Sequence, residues 1–138
     1  MKIIRCIVLV LIGIALLTTM SAAQDKAVKI EFTQVPTVGE GPDSRGDIAG
    51  KVTGLAKPGS YKLVIYAHID QWYVQPLANA PLTDIATDGR WSNWTHLGRR
   101  YAVLVVRPEF RPIAKTQILP KVGAEVIAKS EVAAKGTK

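Results

Sequence analysis

Two histidines, His68 and His96, and the aspartates Asp70, Asp84 and Asp88 carry the chemistry that could serve catalysis or metal binding in this chain. His68-Ile69-Asp70 sets an imidazole and a carboxylate two positions apart, on one face of an extended segment, a spacing that presents both to a single ion. There is no third histidine, no HExxH and no cysteine cluster, so the ligand count of a zinc site is not reached. Asp88 is accounted for by the Asp-Gly turn it opens. Asp70 and Asp84 as a glycosidase pair would require a cleft and a definite carboxylate separation, and nothing in the sequence supplies either. Ser44, Ser60, Ser92 and Ser130 all lie outside any G-x-S-x-G elbow, and no glycine-rich phosphate loop leads into a helix. An enzyme would need His68, Asp70 and His96 to converge in one pocket. The expectation is a binding protein, with no catalytic residue, metal ligand or cofactor assigned.

The aromatic residues offer more. In "TDGRWSNWTHLG" (87–98), an extended strand turns Trp91, Asn93 and Thr95 one way and Arg90, Ser92, Trp94 and His96 the other. Trp91, directly after Asp88-Gly89, is expected in the core, and Trp94, among polar neighbours, is expected to be the free ring. A free indole can stack on the C–H face of a sugar while nearby polar groups bond its hydroxyls. Trp72 and Tyr73, in the proline-containing stretch 71–82, could extend that surface with Gln71 and Gln75. Arg90, Arg99 and Arg100 would add attraction for an anionic glycan. Two alternatives stand beside this reading: the aromatics cover the end of the fold, since aromatic burial dominates core energetics, or a sheet edge and loop aromatics hold a protein partner. Arg45-Gly46-Asp47 spells an adhesion tripeptide, and Asn93-Trp94-Thr95 is a sequon that matters only in a eukaryotic secretory pathway. Three-residue matches of this kind recur by chance.

The elements that must position these residues are strands. "VKIEFTQV" (28–35) alternates Val28, Ile30 and Phe32 with polar residues, as a half-buried strand does. "DIAGKVTGL" (47–55) puts Ile48 and Val52 on one face, with Gly50 and Gly54 marking bulges or close backbone approach. "YKLVIYAHID" (61–70) is apolar on both parities, which predicts a strand covered on both sides. "TDIATDGRWSNWT" (83–95) reads as a hairpin turning at Asp88-Gly89. "YAVLVV" (101–106) is the longest β-branched run and predicts a central strand. "RPEFRPIAKTQILP" (107–120) is irregular and punctuated by proline, and "AEVIAKSEV" (124–132) predicts a last strand. Six to seven short strands without helical periodicity imply an all-β antiparallel sandwich, one domain over 24–132, with 133–138 as a loose tail.

The chain opens "MKIIRCIVLVLIGIALLTTMSAAQDK". Lys2 and Arg5 precede an apolar run from Cys6 to Leu17, and Ser21-Ala22-Ala23 supply small residues at cleavage spacing, so residues 1–23 read as a signal peptide cut before Gln24. The run is short for a span of about 20 residues, and no stable membrane span is expected after cleavage. Cys6 opens the run instead of closing it, which argues against lipid attachment. The expected destination is the periplasm or the medium. Cys6 is the chain's single cysteine, so the mature domain would rest on packing alone in a compartment that permits disulfides. Charge is uneven, with six Lys/Arg against eight Asp/Glu from Gln24 to Gly89 and ten against three from Arg90 to Lys138. A basic half of this kind attracts anionic polymers or membrane surfaces. Nucleic acid is not an expected partner, because no binding motif accompanies the charge.

"IAGKVTGL", "TDGRW" and "LGRRYAVLVVRPEFRP" together resemble the immunoglobulin-like or transthyretin-like accessory domains of exported bacterial proteins. "YKLVIYAHIDQWYVQPLANAPLTDIATDGRW" is similar to sandwich modules appended to polysaccharide-degrading enzymes. The likeness spans Asp47 to Pro112 and implies a non-catalytic accessory or binding role; the aromatics make an extracellular or envelope glycan the expected partner, or else an envelope protein. In those families the domain is appended to an enzyme, whereas here the domain follows the signal peptide alone.

Overall fold

A run that is apolar on both parities can be a strand only if both of its faces are covered. In the computed structural model, which describes residues 27–137, this condition organises the fold. The expected signal peptide lies outside the described residues. The strands are β1 (Lys29–Gln34), β2 (Arg45–Thr53), β3 (Lys62–His68), β4 (Trp72–Gln75), β5 (Leu82–Asp84), β6 (Arg90–His96), β7 (Arg100–Val106), β8 (Lys115–Thr116) and β9 (Val126–Ala133). A single 3-10 turn, Pro58–Ser60, precedes β3. A small sheet runs β1-β2-β6, and a large one runs β8-β4-β3-β7-β9, all antiparallel. β5 continues the line of β4 along β3: β4 pairs with Ile65–His68 and β5 with Lys62–Val64. The result is an all-β sandwich. Its nine strands exceed the six to seven expected because β5 and β8 are only three and two residues long.

Two cores follow from the two parities of β3 and β7. Leu63, Ile65, Tyr101, Val103 and Val105 face the small sheet and meet Ile48, Val52 and Trp91. Val64, Tyr66, Ala102, Leu104 and Val106 face the other way, joined by Trp72 and Val74 of β4. That second face is covered by a strap, residues 107–125, which presses Leu119 and Phe110 onto it. The Tyr66 hydroxyl donates to Ile113 O at 3.0 Å, and Val74 N donates to Ala114 O at 2.9 Å, fixing the strap across the sheet.

Gly50 is where the small sheet makes room for its indole. It pairs with Phe32 on one side and Trp91 on the other, and the two rings meet edge to face at 5.9 Å. A β-carbon on Gly50 would lie 1.9 Å from Glu31 O and 2.5 Å from Trp91 Cζ2. Trp91 is 3 % exposed, as expected, and its Nε1 has no hydrogen-bond partner.

Two expectations are corrected. The Asp-Gly turn forms, with Gly89 at φ 87°, Gly89 N bonded to Ala86 O at 2.8 Å and Ala86 N to Arg90 O at 2.9 Å. The flanking strands then separate instead of forming a hairpin: β5 joins β3 in the large sheet, and β6 pairs with β2 over seven residues in the small one. The turn is a corner between layers, because Trp91 must reach the space over Gly50. The tail is also tied down. β9 runs to Ala133, Ala134 is buried, and Lys135 N bonds Pro36 O at 2.9 Å while Val38 N bonds Lys135 O at 3.0 Å.

Two outcomes follow. Gly50→Ala should cost about 1–3 kcal/mol by overpacking and Trp91→Ala about 3–5 kcal/mol by cavity formation, read as lowered urea midpoints; a Gly50→Ala midpoint equal to wild type would contradict the packing described. Burial pushes the Tyr66 hydroxyl from its ordinary value near 10 up to about 12, and raises that of Tyr101 as well. A folded value above the unfolded one means that the contribution is complete below pH 10 and is lost as pH rises through about 12. Urea midpoints should therefore fall over that window, and less so in Tyr66→Phe.

Candidate functional site

β3 ends at His68, and the chain reverses through Ile69–Gln71 with Ile69 N bonded to Gln71 O at 3.2 Å. Asp70 sits in this turn. Its Oδ1 accepts from the Tyr73 hydroxyl at 2.9 Å and from Gln71 N at 3.0 Å. The Tyr73 hydroxyl bond, with the backbone bonds behind it, holds the Asp70 carboxyl below its ordinary range. Strand alternation points Tyr73 away from its neighbour Trp72, toward the side of the sandwich where β6 ends. Gln71 Nε2 adds a 3.3 Å bond to the same hydroxyl.

A polar seam joins the layers on that side. Gln75 Oε1 accepts from His96 N at 2.9 Å and lies 2.9 Å from His96 Nδ1, a contact that bonds when Nδ1 carries the proton. Further along, Asn93 Nδ2 donates to Thr83 Oγ1 at 2.9 Å. Gln75, Thr83 and Thr95 are the buried polar residues of the described chain, and each has a partner, with Thr95 Oγ1 donating to His96 O at 2.9 Å. The His96 ring meets Trp94 edge to face at 5.2 Å, and the Arg45 guanidinium lies 4.4 Å over the Trp94 ring.

Between the β3–β4 turn, the loop before β2 and the end of β6 opens a cleft of about 460 Å³, lined by Pro42, Asp70, Tyr73, Pro76, Leu77 and His96 among others. Its walls are largely aliphatic, and Asp70, Tyr73 and His96 are the side chains able to bond a ligand's polar groups. Two further depressions, about 560 and 360 Å³, lie along the small sheet, one lined by Ala49, Ser92 and Arg90 and the other by Asp47, Ser92 and Trp94.

The six residues expected to bind ligand fall in different places. Trp94, expected as the free ring, is half-buried on the outer face of β6, with the Arg45 guanidinium over its face and His96 edge-on beside it, and Tyr73 lines the cleft. Trp72 is corrected: it is 5 % exposed, paired with His68 and Thr116, edge-on to the His68 ring at 4.8 Å and topped by Arg100 at 5.2 Å, so it offers no face for stacking. Arg100 also pairs with Glu131, on the opposite face of the large sheet from the cleft. Arg90 is exposed at the far end of β6, bonded to Asp88, and Arg99 is exposed on the link before β7. Arg45, which lies over the ring, had no signal beyond its place in the adhesion-like tripeptide. That tripeptide opens a paired strand, Arg45 opposite His96. His96 was signalled by sharing Trp94's parity.

The His68–Asp70 pairing that strand alternation would allow does not form, because the strand ends at His68: His68 packs on Trp72, while Asp70 turns into the cleft. Asp84 pairs with Lys62 at the other end of β3. At about 3.3 Å per residue, the length of β3 separates it from Asp70 far beyond glycosidase spacing. Among the described residues, no group of three or more His, Cys, Asp or Glu could hold a metal ion.

No family model, curated protein or solved structure matches the chain. The architecture is nonetheless explicit, an antiparallel β-sandwich with one side stitched by the Gln75–His96 and Asn93–Thr83 bonds.

Gln75→Ala would leave the His96 backbone N–H without its acceptor. The expected loss is about 1–3 kcal/mol, measured as a lowered urea midpoint, with the two-dimensional NMR shifts of Tyr73 and Trp94 moving together. Shifts confined to one of them would show that the seam does not join the two aromatics.

Proposed function

We propose that the protein is an exported, non-catalytic module that binds a carbohydrate of the cell envelope or surrounding medium. The observation that carries this reading is the placement of His96, whose ring touches Trp94 on one side and lines the cleft that holds Tyr73 and Asp70 on the other. A sugar presents an apolar C–H face and a rim of hydroxyls. Aliphatic walls with an aromatic ring suit the first, and a carboxylate, a phenol and an imidazole suit the second. The cleft volume falls within the usual range for small-ligand sites, about 300–1,000 Å³. Trp94 supplies further aromatic surface for the next sugar along a chain where Arg45 does not cover its ring, and Arg45 supplies positive charge for an acidic one. This assigns the ligand site to Tyr73, Trp94, His96, Asp70 and Arg45; Arg90, Arg99 and Arg100 lie apart from it. The likeness to accessory domains of exported bacterial proteins points the same way.

A second reading, a structural or protein-interaction module, rests on β9, an eight-residue outer strand paired only with β7 and open to strand addition.

Titration of the protein against a panel of neutral and acidic glycans tests both. Tyr73→Ala and Trp94→Ala should each weaken binding at least about tenfold, or about 1.4 kcal/mol, with unchanged melting temperature. Arg90→Gln should leave binding intact. A folded protein that binds no glycan in the panel would abandon the carbohydrate reading in favour of the β9 edge.

A further inference from the structure

The strap over the second core has an outer side that the glycan reading does not use. Its inward residues are accounted for: Phe110 and Leu119 fill the core, Tyr66 and Val74 bond its carbonyls, and Lys115–Thr116 pairs with β4. Ile118, Ile113 and Val122 are the three most exposed large apolar side chains among the described residues, at 76, 60 and 59 %. All three fall within ten residues of one another. Single exposed apolar residues are ordinary on any surface. Three of them interleaved with cations on one loop are a pattern.

Arg107, Arg111, Lys115 and Lys121 lie on this strap, with Lys129 beside it, against Glu109 and Glu125. The ion pairs of the described residues are Lys62–Asp84, Arg90–Asp88 and Arg100–Glu131, so none engages a strap cation. Arg107 is occupied by Ala124 O and Lys129 by Pro120 O. Arg111, Lys115 and Lys121 are exposed and have no acidic partner.

We infer that this strap docks the protein on an anionic lipid surface, with Ile113, Ile118 and Val122 entering the headgroup layer and Arg111 and Lys121 meeting the phosphates; Lys115, paired opposite Tyr73, shares that side chain's face and is not part of this surface. Charge complementarity selects an anionic partner. The shape of the face selects a bilayer: the three clefts described above lie elsewhere, and separated side chains on a strap offer no shaped cavity to a rigid ligand. A headgroup layer receives separated apolar side chains without a matching pocket and supplies diffuse negative charge. The mode is peripheral: among the described residues, no helix is long and apolar enough to cross a membrane. The inference is independent of the glycan reading, because none of these residues lines the cleft.

Co-sedimentation tests it, using the protein as recovered from expressing cells. The vesicles would be phosphatidylcholine alone, or phosphatidylcholine with roughly a third phosphatidylglycerol, so that only the second carries a negative surface potential. Anionic vesicles at low salt should bind about thirtyfold more tightly than neutral ones, and molar salt should abolish the difference. The variant Arg111→Gln/Lys121→Gln should lose the anionic preference. The variant Ile113→Ser/Ile118→Ser/Val122→Ser should bind anionic vesicles at least about tenfold less tightly at unchanged melting temperature. Should the triple serine variant fail to fold, Ile118→Ser alone should weaken binding measurably. Absence of binding to anionic vesicles overturns the inference. So does binding that both variants retain in full, which would place membrane affinity elsewhere in the chain. Loss in the charge variant alone, with equal binding to soluble dextran sulfate, would assign the strap to a polyanion and also overturn it.

Discussion

β3 and β7, side by side and apolar on both faces, are the constraint that the other elements satisfy. Neither strand can meet water on either side, and the chain has no disulfide available to hold a partly covered sheet. One cover is the small sheet, built around Trp91 over Gly50. The other is the strap, which is not a regular layer and is held by two backbone carbonyls and two inward side chains. The asymmetry has a functional side. The regular cover gives rigid strands on which Trp94 and His96 are placed by alternation, whereas the irregular cover leaves its own side chains free to point outward.

The cleft depends on how the sandwich is closed on one side. β6 and the β4–β5 line belong to different sheets and share no backbone ladder, so their approach is made by side chains, Gln75 to His96 and Thr83 to Asn93. Buried polar groups are costly unless satisfied; here their satisfaction fixes the distance between the layers. The Gln75 that closes the sandwich also orients His96, so one bond set serves both the closure of the fold and the geometry of the site.

Much of this was legible in the sequence. The alternation of 28–35 and the doubled parity of 61–70 each reported a local fact about faces, and both survive as β1 and β3. Trp91 and Trp94 separated as their parity required. What could not be read was partner choice. Asp88-Gly89 specifies a reversal but not which sheet each arm joins, so a corner looked like a hairpin. Trp72 sat among prolines and polar residues, and its burial depends on Arg100 and the strap, both distant in sequence. The His68–Asp70 pair failed because alternation holds only while the strand lasts, and β3 stops at His68. Gln75 was named only as a companion to aromatics, since nothing local marks a glutamine as a link between sheets.

Lys135 holds the segment Pro36–Val38, and Thr37 O in turn accepts from the Tyr101 hydroxyl, which also receives Gly98 N. The loop carrying Pro42 follows directly from that segment and forms one wall of the cleft. A wall contributed by the loop at Pro42 is thus anchored by Lys135, far along the sequence. A chain made from its N-terminus onward has every side chain of the cleft long before it has the clamp that sets this wall in place. A chain clipped before Lys135 therefore has the cleft residues without their frame.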